Sequence, residues 1–356
     1  MTSPQDPSRR AMAAWLFACC ALVFAIVVVG GITRLTHSGL SIVEWQPLVG
    51  AVPPLDENAW AQTFAKYRET PEFRLRNFDM TLAGFKRIFW WEYAHRLLGR
   101  VIGVAFFVPF LWFLARGAIS RPIAWRLAGI FALGAFQGAL GWFMVESGLV
   151  DDPRVSSVRL AAHLATAFLI YASMLWLALG LAYGMDRRTG HPARRHAALL
   201  PVLVLAQVVS GALVAGIHAG LAYNTYPLMD GHWVPPEILL LHPWWRNFVY
   251  NMATVQFNHR VLALVVVAAA GALAWRVLRE RERRPREGRW AWALAIAVAL
   301  QLAAGISTLL LRVPLPLAAL HQAGAVVVFT CALGLFHALA REGITPVKRA
   351  GPAFVT

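Results

Sequence analysis

The stretch Trp91-Glu92-Tyr93-Ala94-His95-Arg96-Leu97-Leu98-Gly99-Arg100 sets a carboxylate, an imidazole and a guanidinium at the mouth of a long apolar run. On a helix, Glu92, His95 and Arg96 stand at i, i+3 and i+4 and share one face. Ionisable groups entering a membrane span are costly, and they usually turn to the bundle interior, where a partner or a bound group offsets the cost. The motif returns in altered form as Gln256-Phe257-Asn258-His259-Arg260, again opening an apolar run. One copy carries Glu, the other Gln.

Working outward, the chain is apolar almost throughout. Of its 356 residues, 58% are hydrophobic and only 14% charged, whereas a soluble domain carries roughly a quarter charged residues. This argues against an ordinary soluble fold and predicts an all-α polytopic membrane protein. Eight spans are expected, at 11–32, 96–115, 125–145, 159–182, 197–218, 258–278, 289–311 and 317–339. The first run is long for a signal-peptide core and lacks a small-x-small exit, so it reads as a retained span. Cys19, Cys20 and Cys331 all lie in apolar runs and read as small buried hydrophobes.

The net charge of +15 raises a nucleic-acid partner. The basic residues sit mostly in short inter-span loops, however, and the positive-inside bias accounts for them; membrane lipid is the expected surroundings. One side collects Arg9 and Arg10, Arg116, Arg121 and Arg126, Arg187, Arg188, Arg194 and Arg195, the cluster from Arg276 to Arg289, and Arg341, Lys348 and Arg349. Both termini are therefore expected in the cytoplasm. The acidic and aromatic loops, Asp151-Asp152 and Tyr223 to Tyr250, fall on the other side. Within the long outer loop, Asp56 to Tyr67 reads as a short capped helix behind Pro53-Pro54. Phe78 to Trp91 reads as an amphipathic interfacial helix leading into span two, or as a cover over the outer end of the bundle.

The chain also repeats. Thr36 to Ser41 after span one matches Ile217 to Ala222 after span five, Glu92 to Arg96 matches Gln256 to Arg260, and Gln137 to Gly141 matches Gln301 to Gly305. Four spans per repeat keep the two halves in one orientation, which predicts two four-helix bundles related by a pseudo-twofold along the membrane normal. The halves are placed at 1–190 and 191–356.

Four of the eleven histidines, His95, His163, His259 and His321, open spans two, four, six and eight. All four even-numbered spans run from outside to inside, so each half offers two imidazoles at similar depth, near the outer face, on parallel helices. That is the arrangement that grips a haem iron from both sides. A zinc site would want three or four N/S ligands at one point. A single intramembrane histidine is more often a packing or hydrogen-bonding residue; four at equivalent depth in two repeats favour ligation. His37 and His218 also match, where the chain leaves the bilayer, and read as interfacial or secondary. His191, His196, His232, His242 and His337 read as loop or end residues. Arg96 and Arg260 follow their histidines and suit haem propionates, or snorkelling, or for Arg96 a pair with Glu92. Glu92, replaced by Gln256 in the repeat, marks a division of labour: chemistry in the first half, electron storage or structure in the second.

At these residues the chain resembles the haem A synthase family. The similarity runs through Gly30 to Thr36, Ser41 to Trp45, Phe89 to Arg100, Gln137 to Gly148, Ala222 to Met229, Gln256 to Arg260 and His321 to Gly324. The resemblance implies oxidation of the C8 methyl of haem O to a formyl group, through a hydroxymethyl stage, to give haem A for terminal oxidases. It implies Glu92 as the catalytic glutamate, His95 and His163 at the substrate haem, and His259 and His321 on a haem B cofactor. It also implies a bacterial inner membrane, a haem O synthase that delivers the substrate, and an electron donor it does not name; a homo-oligomer is compatible. Some members carry cysteine pairs in the outer loops; this sequence has none there, like the proteobacterial and mitochondrial branch. A di-haem b-type cytochrome taking electrons from quinol uses the same histidines, and a transporter or haem chaperone is a third reading. Neither changes the haem, so the product discriminates.

Overall fold

A computed structural model of the chain describes residues 7–45, 49–150, 152–183, 192–282 and 284–340. The division placed between 190 and 191 lies outside the described residues. So do Asp151, Arg187, Arg188, His191, Arg341, Lys348 and Arg349. Eleven α-helices follow in order: α1 (Pro7–Leu35), α2 (Glu57–Arg68), α3 (Pro71–Leu75), α4 (Leu82–Ala115), α5 (Arg121–Glu146), α6 (Ser157–Tyr183), α7 (Arg194–Gly216), α8 (Asn247–Tyr250), α9 (Met252–Leu278), α10 (Pro285–Leu310) and α11 (Leu315–Leu339). Eight of them, α1, α4 to α7 and α9 to α11, are long and apolar enough to cross a membrane. The protein is an all-α polytopic membrane protein.

Side chains and caps fix the helix ends. Asp56 accepts from Ala59 N at 2.7 Å and starts α2, as its position behind the prolines predicts. Thr70 and Thr81 cap α3 and α4 in the same way. The helix expected over Phe78 to Trp91 and span two form one element: α4 is one helix of 34 residues, about 51 Å long. No glycine or proline interrupts Phe85 to Leu98, so nothing stops the helix from propagating out of the apolar layer. Its projecting first turns are covered by α2 and α3. Trp60, Tyr67, Phe85, Phe89 and Tyr93 form a buried aromatic cluster there, and Tyr93 donates its hydroxyl to Ala51 O at 2.7 Å.

Helix adjacency repeats along the chain. Helix α1 packs on α4 and α6, and α5 on α4 and α6; α7 packs on α9 and α11, and α10 on α9 and α11. Between the sets, α6 meets α7, and both α1 and α6 meet α11. The seam is stitched by Tyr171 and Thr330, whose hydroxyls lie 2.7 Å apart, and by Gln322 Nε2, which donates to Val27 O at 2.6 Å. Phe168 meets Phe329 edge-on at 5.1 Å. The three cysteines are free and buried, as expected. His337, expected at a chain end, lies in the last turn of α11 but is buried against Trp176, because that turn faces α6 rather than solvent.

Candidate functional site

The four histidines sit in α4, α6, α9 and α11, and all line one cavity of about 1540 Å³. His95 and His163 are close enough to interact electrostatically, and so are His259 and His321. The structure thus brings them together as two pairs. Each ring lies against a glycine of a neighbouring helix. A Cβ on Gly30 would come 2.8 Å from His95 Nε2, and one on Gly141 2.9 Å from His163 Cε1. On Gly211 it would stand 3.0 Å from His259, and on Gly305 2.8 Å from His321. Real side chains do not approach so closely, so the glycines are what let the imidazoles pack against the neighbouring helices where they line the cavity.

Three of the four helices receive a second tie. Gln137 Nε2 donates to His163 O at 3.0 Å, Gln207 Nε2 to His259 O at 3.1 Å, and Gln301 Nε2 to His321 O at 2.8 Å. A helical carbonyl has a second lone pair, and each glutamine uses it to fix the depth and rotation of the histidine's helix. Each glutamine precedes its glycine by four residues; in α1 the corresponding position, four before Gly30, is Ile26. His95 has no such tie. The repeat of Gln137 to Gly141 in Gln301 to Gly305 already marks two of these pairs in the sequence; what it leaves unmarked is Gln207, with the same Gln-x-x-x-Gly spacing, and the contact of each glycine with an imidazole.

Glu92 is buried and fully engaged. Its Oε2 accepts from Ser41 N at 2.7 Å, Ser41 Oγ at 2.8 Å and Ile42 N at 2.9 Å; its Oε1 accepts from Arg96 Nε at 3.1 Å and Nη2 at 2.7 Å. Arg96 also donates to Ile42 O and Glu44 O. Together the two residues clamp the chain that leaves α1. In the repeat, Arg260 donates to Gln256 Oε1 and to the carbonyls of Tyr223, Thr225 and Leu228, clamping the chain that leaves α7. Gln256 donates Nε2 to Ala219 O at 2.7 Å, where Glu92 instead accepts from backbone N–H groups. The Glu-to-Gln change therefore follows the polarity of the loop each faces. Both arginines reach the cavity wall, but most of their donors are spent on loop carbonyls and on the residue one turn before.

A second carboxylate, unnoticed in the sequence, lies on the same wall. Glu72 in α3 is buried and accepts only from the Tyr67 hydroxyl, at 3.5 Å, while Asn77 donates to that hydroxyl at 2.7 Å. Burial, then the neighbouring Glu92 charge, push Glu72 up to about 7 against the opposing pull of Arg76.

The donor set fits a haem iron. Each pair supplies two imidazoles, with His163 Nδ1 and His321 Nδ1 buried and without a hydrogen-bond partner. Among the described residues no three His, Cys, Asp or Glu side chains converge as a zinc-type site requires.

Comparison with known proteins agrees with this geometry. Residues 13–333 match the family model COX15-CtaA, cytochrome oxidase assembly protein. The chain is 55% identical over 338 residues to a haem A synthase of Nitrosospira multiformis, covering 94% of this chain and 95% of that one. It is 50% identical over 327 residues to one of Nitrosomonas eutropha, covering 90% and 92%. A third, from Parvibaculum lavamentivorans, is 46% identical over 336 residues, covering 94% and 96%.

Proposed function

Because the chain belongs to the COX15-CtaA family of cytochrome oxidase assembly proteins, we propose that it is a haem A synthase, converting the C8 methyl of haem O to a formyl group through a hydroxymethyl stage. The observation that carries this reading is the single cavity walled by two pairs of imidazoles, with a carboxylate beside the first pair and an amide beside the second. The two helix sets are read as two four-helix bundles related by a pseudo-twofold, with the division near residue 190. The first holds the substrate between His95 and His163. The second holds a haem B between His259 and His321.

Bound haem would supply the redox chemistry for two successive two-electron oxidations of the methyl carbon, with an external oxidant taking the four electrons. The protein's part is to bind, orient and set the field. The apolar helix faces suit the farnesyl tail of haem O, and the glycine contacts position the imidazoles that would hold the haem. Glu92 is the catalytic carboxylate: five hydrogen bonds hold it in place, so its charge needs no reorganisation as the methyl carbon becomes electron-poor. Arg96 holds Glu92 and the loop after α1. The three glutamine ties make His163, His259 and His321 the firmly held ligands, and leave His95 as the one able to yield.

We place the protein in a bacterial inner membrane, with the loop-end arginine clusters and both termini in the cytoplasm and the histidines near the outer face. Haem O arrives from the synthase that makes it. The test is pigment extraction after expression in a host that makes haem O. Haem A or its hydroxymethyl precursor, absent from an empty-vector control, is the expected result. Haem B alone, despite available haem O, would instead favour the di-haem cytochrome that oxidises quinol.

A further inference from the structure

At the loop end of the seam between the two helix sets, the cavity wall is cationic. His37 and His218 stack there with ring centroids 6.2 Å apart and planes 17° apart. Both hold a left-handed backbone, φ 52° and 57°, which is strained for a residue bearing a Cβ. A glycine would relieve that strain. Burial, then Arg76 and Arg34, hold His37 below the usual imidazole range, and burial, then Arg34, do the same for His218. The two rings are therefore a neutral wall.

The arginines beside them are not equivalent. Arg154 spends its guanidinium on Asp152, with contacts of 2.6 to 3.0 Å. Arg34 and Arg76 also line the cavity, and neither makes an ion pair or a side-chain hydrogen bond with any described residue. Arg34 is only partly exposed, on the last turn of α1. Arg34 is the partly buried one of the two, where a guanidinium without a paired carboxylate is costly, while Arg76 is exposed and acts electrostatically on Glu72; a carboxylate is the partner that the planar fork matches. Arg96 and Arg260 have most of their donors on loop carbonyls and on the residue one turn before, although Arg260 Nε is buried without a partner.

We propose that Arg34 and Arg76, beside the stacked His37 and His218, form the subsite that receives the propionate carboxylates of the porphyrin bound in the first half. This rests on the haem reading above. It gives the substrate a fixed polar end at the seam, with the tail directed into the helices, so that one methyl rather than another meets Glu92.

The test compares a porphyrin with and without its carboxylates. The full-length protein, purified from a haem-starved host, is titrated with iron protoporphyrin IX and with its dimethyl ester, following the Soret band. For one of the two bound equivalents, the wild type should prefer the diacid at least tenfold. R34Q and R76Q should each lower diacid affinity at that equivalent about ten- to a hundredfold, as loss of a charge-assisted hydrogen bond does. Ester affinity should not change, which also shows that the variants are folded. R34K should keep part of the preference. An undiminished preference in R34Q and R76Q, or one lost only in R96Q and R260Q, would overturn the assignment. Failure of both porphyrins to give a Soret shift would instead refute the haem reading itself.

Discussion

Glu92 and Gln256 occupy matching positions yet are not interchangeable, because the loops they face present opposite polarity. Every hydrogen bond at Glu92 comes from a donor, so Glu92→Gln must turn an amide NH2 onto a backbone N–H or onto Arg96. We expect haem A formation to be lost and the protein to be destabilised by about 1–3 kcal/mol, read as product yield and as thermal unfolding in detergent. Normal yield would remove Glu92 from the chemistry. Glu72 behaves in the other sense. Its folded value is raised to about 7, so the folded state binds the proton more tightly than the unfolded chain does. Stability is then lost as pH rises from the ordinary carboxylate range through about 7. Glu72→Gln should flatten that fall, making the variant more stable than wild type at pH 8 but not at pH 4. Parallel pH–stability curves would show that Glu72 does not titrate in this window.

At the scale of the helix, the contacts that matter are glycine against imidazole and glutamine against carbonyl. Gly305→Ala would press a methyl to 2.8 Å from His321. It should cost about 1–3 kcal/mol by overpacking and diminish the B-type haem spectrum, whereas Gly138→Ala, with nothing within 4 Å, should be spectrally silent. Equal effects from the two would mean that the glycine contact does not set the ring. Ile26→Gln supplies α4 with the tie it lacks, and should slow exchange of an added ligand such as cyanide at the first-half haem; unchanged exchange would show that the missing tie does not loosen His95. These features also mark the limits of what the sequence discloses. Periodicity and charge were enough for the eight spans, and the shared position of His95, His163, His259 and His321 was enough to single them out. Periodicity reports which face a residue occupies, not which neighbour crosses to it. The loop carbonyls that Arg96 and Arg260 bind leave no mark in side-chain identity, whereas the Arg96–Glu92 pair, one of the alternatives legible in the sequence at i, i+4, is present at 2.7 Å. Helical spacing from Phe78 to Trp91 does not tell that α4 starts at Leu82 and runs through Trp91 without interruption.

On the scale of the molecule, both imidazole pairs and the seam open into one volume rather than two pockets. Removing His259 or His321, each to Ala, should abolish the B-type haem signal while the first-half histidines still bind porphyrin; an unchanged total haem content would break the assignment of the second half. The shared volume has a consequence in thermodynamic terms. Two occupants of one low-dielectric chamber are coupled, and the coupling is reciprocal: whatever one does to the other's affinity, the other returns by the same factor. An electron added to a haem held by His259 and His321 would alter the field felt by an occupant of the first half. The affinity for a porphyrin in the first half should therefore differ between the oxidised and reduced protein, by about fivefold or more for an ordinary coupling of 1 kcal/mol. Titration at two poised potentials measures it, and identical affinities would make the two sites independent. The common chamber would then act as a timing device, in which the redox state of one half sets how long the other keeps its guest.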